Sequence, residues 1–305
     1  TLEERIRERT DALEASNETL RETNERLSQS ETLRRQMISD ISHDLRTPLT
    51  SIHGYIEAVL EGVVKEEDVP RYLSIARDRC LQVNHLIQDL LDLSKLDERY
   101  GSVQMELMSL LDLAQSLARK YELDIHRAGL RFRFLLDETL QRLLEVDFDS
   151  FAPEKELFLN VDPRRIDQVF GNLISNAIRH TVSGGAITLR VTLCADAIGT
   201  PIAPLDESAE VDDSVAGAQP PLATHVRFVV ADTGSGIAPT HLPHVFERFY
   251  KVDRARTRES GGSGLGLAIS QAIIERHGGT ITVESQLGRG TAFTIILPIA
   301  AAVAL

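Results

Sequence analysis

The sequence predicts a helical amino-terminal part that feeds a mixed helix-and-strand domain. Three observations predict it. Two helix-period apolar stripes, over 31–61 and 70–96, are separated by one short acidic turn. The run "DERYGS" at 97–102 breaks the helical pattern. From about residue 103 the chain alternates shorter helix and strand signals. A chain of 305 residues, 42% hydrophobic, suits two domains and a connecting segment.

Taking the elements in order, residues 1–30 are charged and contain no Pro or Gly. Ile6, Leu13, Leu20 and Leu27 recur at heptad spacing, with Thr10, Asn17 and Asn24 at the partner positions. That seam predicts a parallel coiled-coil helix of modest stability, its Asn residues fixing register. After Leu27 the next apolar residue is Leu33, so the heptad slips before the next element. Ile38, Ile41, Leu45, Leu49, Ile52, Ile56 and Val59 then mark one amphipathic helix face. Gly62 and "KEEDVP" form the turn, Pro70 suits the first turn of the following helix, and Leu73, Ala76, Cys80, Val83, Ile87 and Leu90 repeat the stripe. A lone hairpin cannot cover both stripes, so two copies are expected to form a four-helix bundle, a homodimer.

Beyond the break, a helix is expected at 109–121, strands at 130–136 and 156–161, and a helix at 163–180. Strands follow at 186–193 and 225–231, short helices near 241–250 and 264–277, and closing strands at 280–284 and 291–297. Two segments interrupt the pattern: 137–155, acidic and ambiguous, and 194–224, rich in Ala, Pro, Asp and Ser and expected to be a disordered insertion.

Composition narrows the function classes. A formal net charge of −13 argues against non-specific nucleic-acid binding. No apolar run of about 18 residues is present, so no membrane span is expected. The start, "TLEERIRERT", is charged and lacks an initial Met, which suggests a piece of a longer protein without a signal peptide. Cys80 and Cys194 fit no metal or disulfide spacing and suit a reducing cytosol. His241 and His244 have ligand-like spacing, but Pro243 between them favours a loop or helix start over a metal site.

The stretch "DISHDLRTPLTS" at 40–51 concentrates chemistry on one helical turn. At about 100° per residue, His43 falls about 160° from the stripe marked by Ile41 and Leu45, and so is expected to face outward. Thr47 shares its face, and Asp44 on the shoulder is close enough to reach an imidazole nitrogen. Pro48 cannot bond to the Asp44 carbonyl and should bend the helix there. An imidazole with one unprotonated nitrogen is a competent nucleophile, and a carboxylate on the other nitrogen fixes its tautomer.

Further along, "DQVFGNLISNAIRHT" places Asn172 and Asn176 at i, i+4 on one face. "VVADTGSGI" ends an apolar strand at Asp232 before Gly234 and Gly236. "HVFERFYKVD", "SGGSGLGLAIS" and "GRGTAFTIILP" follow. Backbone amides of a glycine-rich turn before a helix can cradle phosphates. The glycines match neither a dinucleotide fingerprint nor a P-loop.

In this order the blocks resemble those of bacterial two-component sensor histidine kinases, over roughly Glu31 to Pro298. "ISHDLRTPL" is similar to the phosphoacceptor box and "NLISNAIRHT" to the asparagine box. "DTGSGI" and "GGSGLGLAIS" are similar to the two glycine boxes, with "VFERFYKVD" as the phenylalanine box between them. The resemblance implies a coiled-coil linker (1–30), a helical-hairpin dimerisation and histidine-phosphotransfer domain (31–98) and an α/β-sandwich ATP-binding domain of the Bergerat (GHKL) type (103–300). The insertions near 137–155 and 194–224 exceed what that domain usually carries.

The resemblance also implies roles. His43 would receive the γ-phosphoryl of ATP, Asp44 would act as base and orienter, and Thr47 would position water when a partner is dephosphorylated. Asn176 would ligate Mg²⁺, with Asn172 nearby, and Asp232 would accept from the adenine amino group. His180 would pack beside the base and Arg179 approach the phosphates. Lys251 would add positive charge, with Arg254, Arg256 and Arg258 in the ATP lid. Gly234 and Gly236 would permit close backbone approach, and Gly262, Gly264 and Gly266 would hinge the lid. The implied partners are a response regulator receiver domain and an upstream sensory module. This fragment would be cytoplasmic, and the full-length protein anchored in the inner (cell) membrane. Chaperones, mismatch-repair proteins and topoisomerases use a similar ATP fold, but the helix bearing His43 argues against them.

Overall fold

The computed structural model describes residues 2–97, 104–137, 157–198, 224–252 and 263–300; within helices, many side chains before residue 44, His43 included, and those of 93–97 lie outside the description. The chain divides into two compact units, Thr1–Ile87 and Gln88–Leu305.

In the first unit, helix α1 runs from Leu2 to Leu60. Sequence reading expects a separate element from residue 31, yet the helix does not stop there. No Gly or Pro precedes Pro48, and a slipped heptad moves the apolar stripe around the helix without removing a backbone hydrogen bond. Pro48 is buried within α1, and the Thr50 and Ser51 hydroxyls donate to the Arg46 and Thr47 carbonyls at 2.9 and 3.2 Å. Gly62, at φ +68°, ends the helix: its N–H reaches Val59 O at 3.2 Å, and Val63 N–H reaches Ala58 O at 3.2 Å. That pair of bonds is a Schellman motif, which needs a left-handed residue where glycine stands. After a 3₁₀ turn at Glu66–Asp68, helix α2 spans Val69–Asp97. Tyr55 and Tyr72 meet edge to face with centroids 5.5 Å apart. Leu49 stays 51% exposed and Leu73 49%, as the apolar stripes of one hairpin must when nothing else covers them.

The second unit begins with the last turns of α2. It continues with β1 (Glu106–Ser109), α3 (Leu110–Arg127), β2 (Arg131–Leu136), β3 (Phe158–Val161), α4 (Pro163–His180), β4 (Ala186–Cys194) and β5 (His225–Asp232). A 3₁₀ turn at Leu242–His244, α5 (Gly266–Arg276), β6 (Thr280–Gln286) and β7 (Gly290–Ala300) complete it. The strands form one sheet in the order β1-β3-β7-β5-β4-β2, with β6 also on β7. β2 and β4 are parallel and the other pairs antiparallel. Along β4, β5 and β7 the buried residues alternate (Ile187, Leu189, Val191; Val226, Phe228, Val230; Phe293, Ile295, Leu297), which makes one face of the sheet apolar. α3, α4 and α5 cover it, giving the α/β sandwich expected from the sequence. α4 contributes Ile166, Val169, Phe170, Leu173 and Ile174, each at most 2% exposed, and Phe170 meets Phe228 edge to face at 5.5 Å. Full burial of such a side chain stabilises by about 1.5–3 kcal/mol.

β1 is the element that the sequence conceals. Four residues with Leu107 exposed on an edge carry no alternation to detect. The 241–250 region, expected to be helical, holds a 3₁₀ turn and loop because Pro243 occupies its first turn. The segments 138–156 and 199–223, and so most of both insertions, lie outside the described residues.

Two polar devices set α4. Asp162 caps it, its carboxylate accepting from the N–H groups of Arg164 and Arg165 at 3.1 and 3.2 Å and of Gln104 at 3.0 Å. Buried His277 donates from Nδ1 to the Ile273 carbonyl at 2.7 Å and accepts on Nε2 from Asp162 N–H at 2.9 Å. One neutral imidazole thus ties the end of α5 to the start of α4.

At the end of β5, Gly290 (φ +112°) packs so closely that a Cβ there would fall on the Asp232 carbonyl. Gly290→Ala is expected to cost about 3 kcal/mol from strain and overlap together. A fall in melting temperature of about 6–12 °C would check this.

Candidate functional site

Asp232 ends β5 with its two carboxylate oxygens in different environments. Oδ1 accepts from Gly234 N–H at 2.7 Å and Thr291 N–H at 3.3 Å. Among the described residues no donor reaches Oδ2. Burial pushes the Asp232 carboxyl up, against the two backbone N–H groups and His180, which pull it down. The result is a half-buried, fixed acceptor at a strand end, suited to a ligand N–H donor.

The glycine-rich turn after Asp232 is packed backbone to backbone. A Cβ on Gly234 would fall on the His180 carbonyl, which also accepts Ser235 N–H at 3.1 Å. Gly236, at φ +69°, sits against the Gln286 carbonyl, and Gly288 N–H donates to Ser235 O at 2.7 Å. The turn is thereby strapped to the end of α4 on one side and to the β6–β7 hairpin on the other.

α4 carries Asn172, Asn176, Arg179 and His180. Asn172 Nδ2 donates to Gly266 O at 3.0 Å and Ser270 Oγ at 3.3 Å, which joins α4 to the first turn of α5. A Cβ on Gly266 would lie 3.3 Å from Asn172 Cγ, tight enough to disturb that junction. The half-buried carboxamide of Asn176 has no hydrogen-bond partner among the described residues. Its Oδ1 is a hard donor of the kind Mg²⁺ takes. No group of three His, Cys, Asp or Glu side chains that could hold a metal occurs among the described residues. An ion at Asn176 would therefore draw its other ligands from phosphate and water, as Mg²⁺ commonly does. Partial burial, then the Arg179 charge, push the His180 pKa down, with Asp232 pulling the other way. The ring is neutral near pH 7 and can lie against a base without adding charge.

Phe249 and Gly264 join the phenylalanine-box region to the turn before α5. Phe249 N–H donates to Gly264 O at 2.9 Å, and Phe249 holds a left-handed φ of +64°, rare for a bulky residue. Gly264, at φ +71°, approaches it so closely that a Cβ would lie 2.8 Å from Phe249 C. Half-buried Lys251 follows two residues later. His241 Nδ1 meets Tyr250 OH at 2.7 Å and His244 Nδ1 meets Glu247 Oε1 at 2.7 Å, so both histidines have local partners.

In the second unit, then, the fold brings together Asn172, Asn176, Arg179, His180, Asp232, Gly234, Gly236, Gly264 and Gly266 around the α4–β5–α5 junction. Gly262 and Arg254, Arg256 and Arg258 lie outside the described residues. In the first unit, His43 lies on α1, Asp44 is half-buried and Thr47 exposed, and both of these have partners within the chain. Sequence reasoning missed Thr291, whose N–H fixes Asp232. It stands in "GRGTAFTIILP", but only strand register puts it beside β5.

Two stretches of the chain match known domain families. Residues 33–99 match the His Kinase A (phospho-acceptor) domain, and residues 161–301 the histidine kinase-, DNA gyrase B-, and HSP90-like ATPase. The sensor protein SrrB of Staphylococcus aureus is 35% identical over 267 residues, 87% of this chain. The chain spans 38% of SrrB's length. In fold it is similar to the Acinetobacter baumannii histidine kinase AdeS, with a TM-score of 0.56 and 23% identity over 84% of this chain and 98% of that one. It is similar also to the histidine kinase ThkA, solved in complex with the response regulator protein TrrA, with a TM-score of 0.60 and 22% identity over 87% of this chain and 61% of that one. A phospho-acceptor helical domain followed by an ATP-binding domain, in that order, places the chain in the two-component sensor histidine kinase family, as the catalytic core of such a kinase.

Proposed function

We propose that this core transfers the γ-phosphoryl group of Mg-ATP to His43 and then to an aspartate of a response regulator receiver domain. The observation that carries the reading is the Asp232 site: a carboxylate fixed through Oδ1, with no donor to Oδ2 among the described residues, at the head of a close-packed glycine turn. That is an acceptor for the adenine amino group. Guanine presents an oxygen there, which would leave the half-buried carboxylate facing another acceptor. His180 lies beside the base, Arg179 and Lys251 reach the phosphates, and Asn176 holds Mg²⁺, which when bound neutralises phosphate charge.

Chemically, an unprotonated imidazole nitrogen of His43 attacks the γ-phosphorus. The N–P bond forms as the bond to the β-γ bridging oxygen breaks, and ADP leaves with that electron pair. Asp44 takes the positive charge or proton that develops on the other ring nitrogen. In the second transfer the receiver carboxylate oxygen attacks phosphorus, and the imidazole leaves. Two copies pair through the exposed stripes of the hairpin; residues 1–30 serve as the linker from an upstream sensory module, 31–98 as the phosphotransfer domain and 103–300 as the catalytic domain. The full-length protein is anchored in the cell membrane.

Incubation with γ-labelled ATP and Mg²⁺ tests the reading. The chain should take up label that is acid-labile and alkali-stable, as a phosphoramidate is. Label that survives acid would place it on a hydroxyl residue and overturn the assignment. Thr47→Ala is expected to retain labelling within about twofold while slowing dephosphorylation of a cognate receiver about tenfold or more, since Thr47 positions water only in that step. Equal loss of both activities would remove Thr47 from that role.

A further inference from the structure

The last turns of α2 carry two carboxylates, Asp89 and Asp92, at i, i+3 and so on one helical face. Both reach elements that build the nucleotide site. Asp92 is 4% exposed; its Oδ1 accepts from Arg165 Nη1 at 2.9 Å and its Oδ2 from Gln168 Nε2 at 2.9 Å. Arg165 also donates to Gln168 Oε1 at 2.8 Å, which closes a three-membered ring of hydrogen bonds. Burial alone would push the Asp92 carboxyl up, yet the bonds from Arg165 and Gln168 and the Arg165 charge hold it below the usual carboxylate range. One turn earlier, Asp89 Oδ2 accepts from Ser263 Oγ at 2.7 Å, and Ser263 Oγ accepts from Leu265 N–H at 3.2 Å.

The partners are placed where they matter. Arg165, Gln168, Asn172 and Asn176 recur at i, i+3, i+7 and i+11, one stripe of α4. The ring on Asp92 therefore grips the helix that presents the asparagines. Ser263 immediately precedes Gly264 and the first turn of α5, so Asp89 grips the turn where Gly264 packs on Phe249 and Gly266 abuts Asn172. A surface contact would not bury a carboxylate in this way. Burying Asp92 is tolerable only because Arg165 and Gln168 neutralise and saturate it.

We propose that Asp89 and Asp92 are positioning residues of the nucleotide site: the end of α2 is a two-point clamp that holds the turn before α5 through Ser263 and the asparagine helix through Arg165. α2 is one continuous helix from Val69 to Asp97. Asp89 and Asp92 stand one turn apart on it, so the two grips are set by the same stretch of helix. By linkage, nucleotide binding also stabilises the end of α2. This rests on reading the second unit as the ATP-binding one, and not on phosphoryl transfer to His43.

The test uses the whole chain and the non-hydrolysable analogue AMP-PNP with Mg²⁺, so that binding is read without phosphorylation. Asp89→Ala and Ser263→Ala should each weaken binding about tenfold, an ordinary coupling between two linked sites. Asp89→Ala/Ser263→Ala should be no worse than either single variant, and Ser263→Thr, which keeps the hydroxyl, should restore affinity. AMP-PNP should slow amide exchange over 89–97 at least about fivefold in the parent and not in Asp89→Ala. Variants that bind within about twofold of the parent, or additive losses in the double variant, would overturn the clamp. So would unchanged exchange at the end of α2 in the parent. Failure of the parent to bind AMP-PNP would instead overturn the nucleotide reading itself. Asp92→Asn adds an independent arm: it leaves Arg165 facing a neutral group, and it should raise the KM for ATP more than it lowers kcat.

Discussion

His43→Gln is expected to abolish phosphoryl incorporation, by at least about a thousandfold, and to leave nucleotide affinity within about twofold of the parent; this is the largest effect expected of any single substitution. Glutamine offers no nucleophilic nitrogen, because its amide lone pair is delocalised into the carbonyl. It is among the better helix formers, so α1 should persist through residue 43. The nucleotide contacts proposed above all come from the second unit, and for this reason binding should survive. Filter-bound label and AMP-PNP titration measure the two quantities on the same preparation. Residual labelling above about one part in a hundred, with acid lability intact, would place the acceptor on another histidine.

The second large effect belongs to Asp232→Asn. Asparagine keeps an oxygen for Gly234 and Thr291 N–H, but turns an N–H donor toward the position of the adenine amino group. Two donors then face each other, and the loss of a hydrogen bond to a charged acceptor, about 1.5–3 kcal/mol, becomes roughly a hundredfold loss of ATP affinity. Guanine, with an acceptor at that position, should lose less, so the preference for ATP over GTP narrows.

The same substitution makes a pH prediction. Burial raises the Asp232 pKa in the folded chain above its ordinary value of 3.8. A raised carboxyl binds its proton more tightly folded than unfolded, so its unfavourable contribution to stability is absent below pH 3.8 and complete above the raised folded value. Asp232→Asn should therefore melt higher than the parent at neutral pH while binding ATP worse. As pH falls through the raised value the parent should lose ATP affinity and the variant should not. A variant that melted lower at neutral pH would show that the carboxylate stabilises the fold rather than burdening it.

Much of this was legible in one dimension. Helix-period stripes depend only on residue spacing, and they revealed the hairpin. The expected helix at 163–180 coincides with α4 because an apolar face runs its whole length, with Pro163 at the start. The blocks proposed as the site can be picked out because each is local: a carboxylate at a strand end, glycines where no Cβ fits, asparagines one helical turn apart. β1 was not legible, since four residues on a sheet edge carry too little pattern. The second pattern expected from residue 31 continues the same helix, because a slipped stripe offers the backbone no reason to leave it.

The sequence by itself therefore determined which chemical groups are present and which elements carry them, since periodicity and turn chemistry act between near neighbours. Tertiary structure alone decided their partners. Thr291 lies 59 residues from Asp232 and reaches its Oδ1 only through the β5–β7 register. Ser263 meets Asp89 across 174 residues of chain, and Arg165 meets Asp92 across 73. Pairings at such separations depend on how packed elements exclude water and satisfy buried charge, and a linear pattern does not encode that.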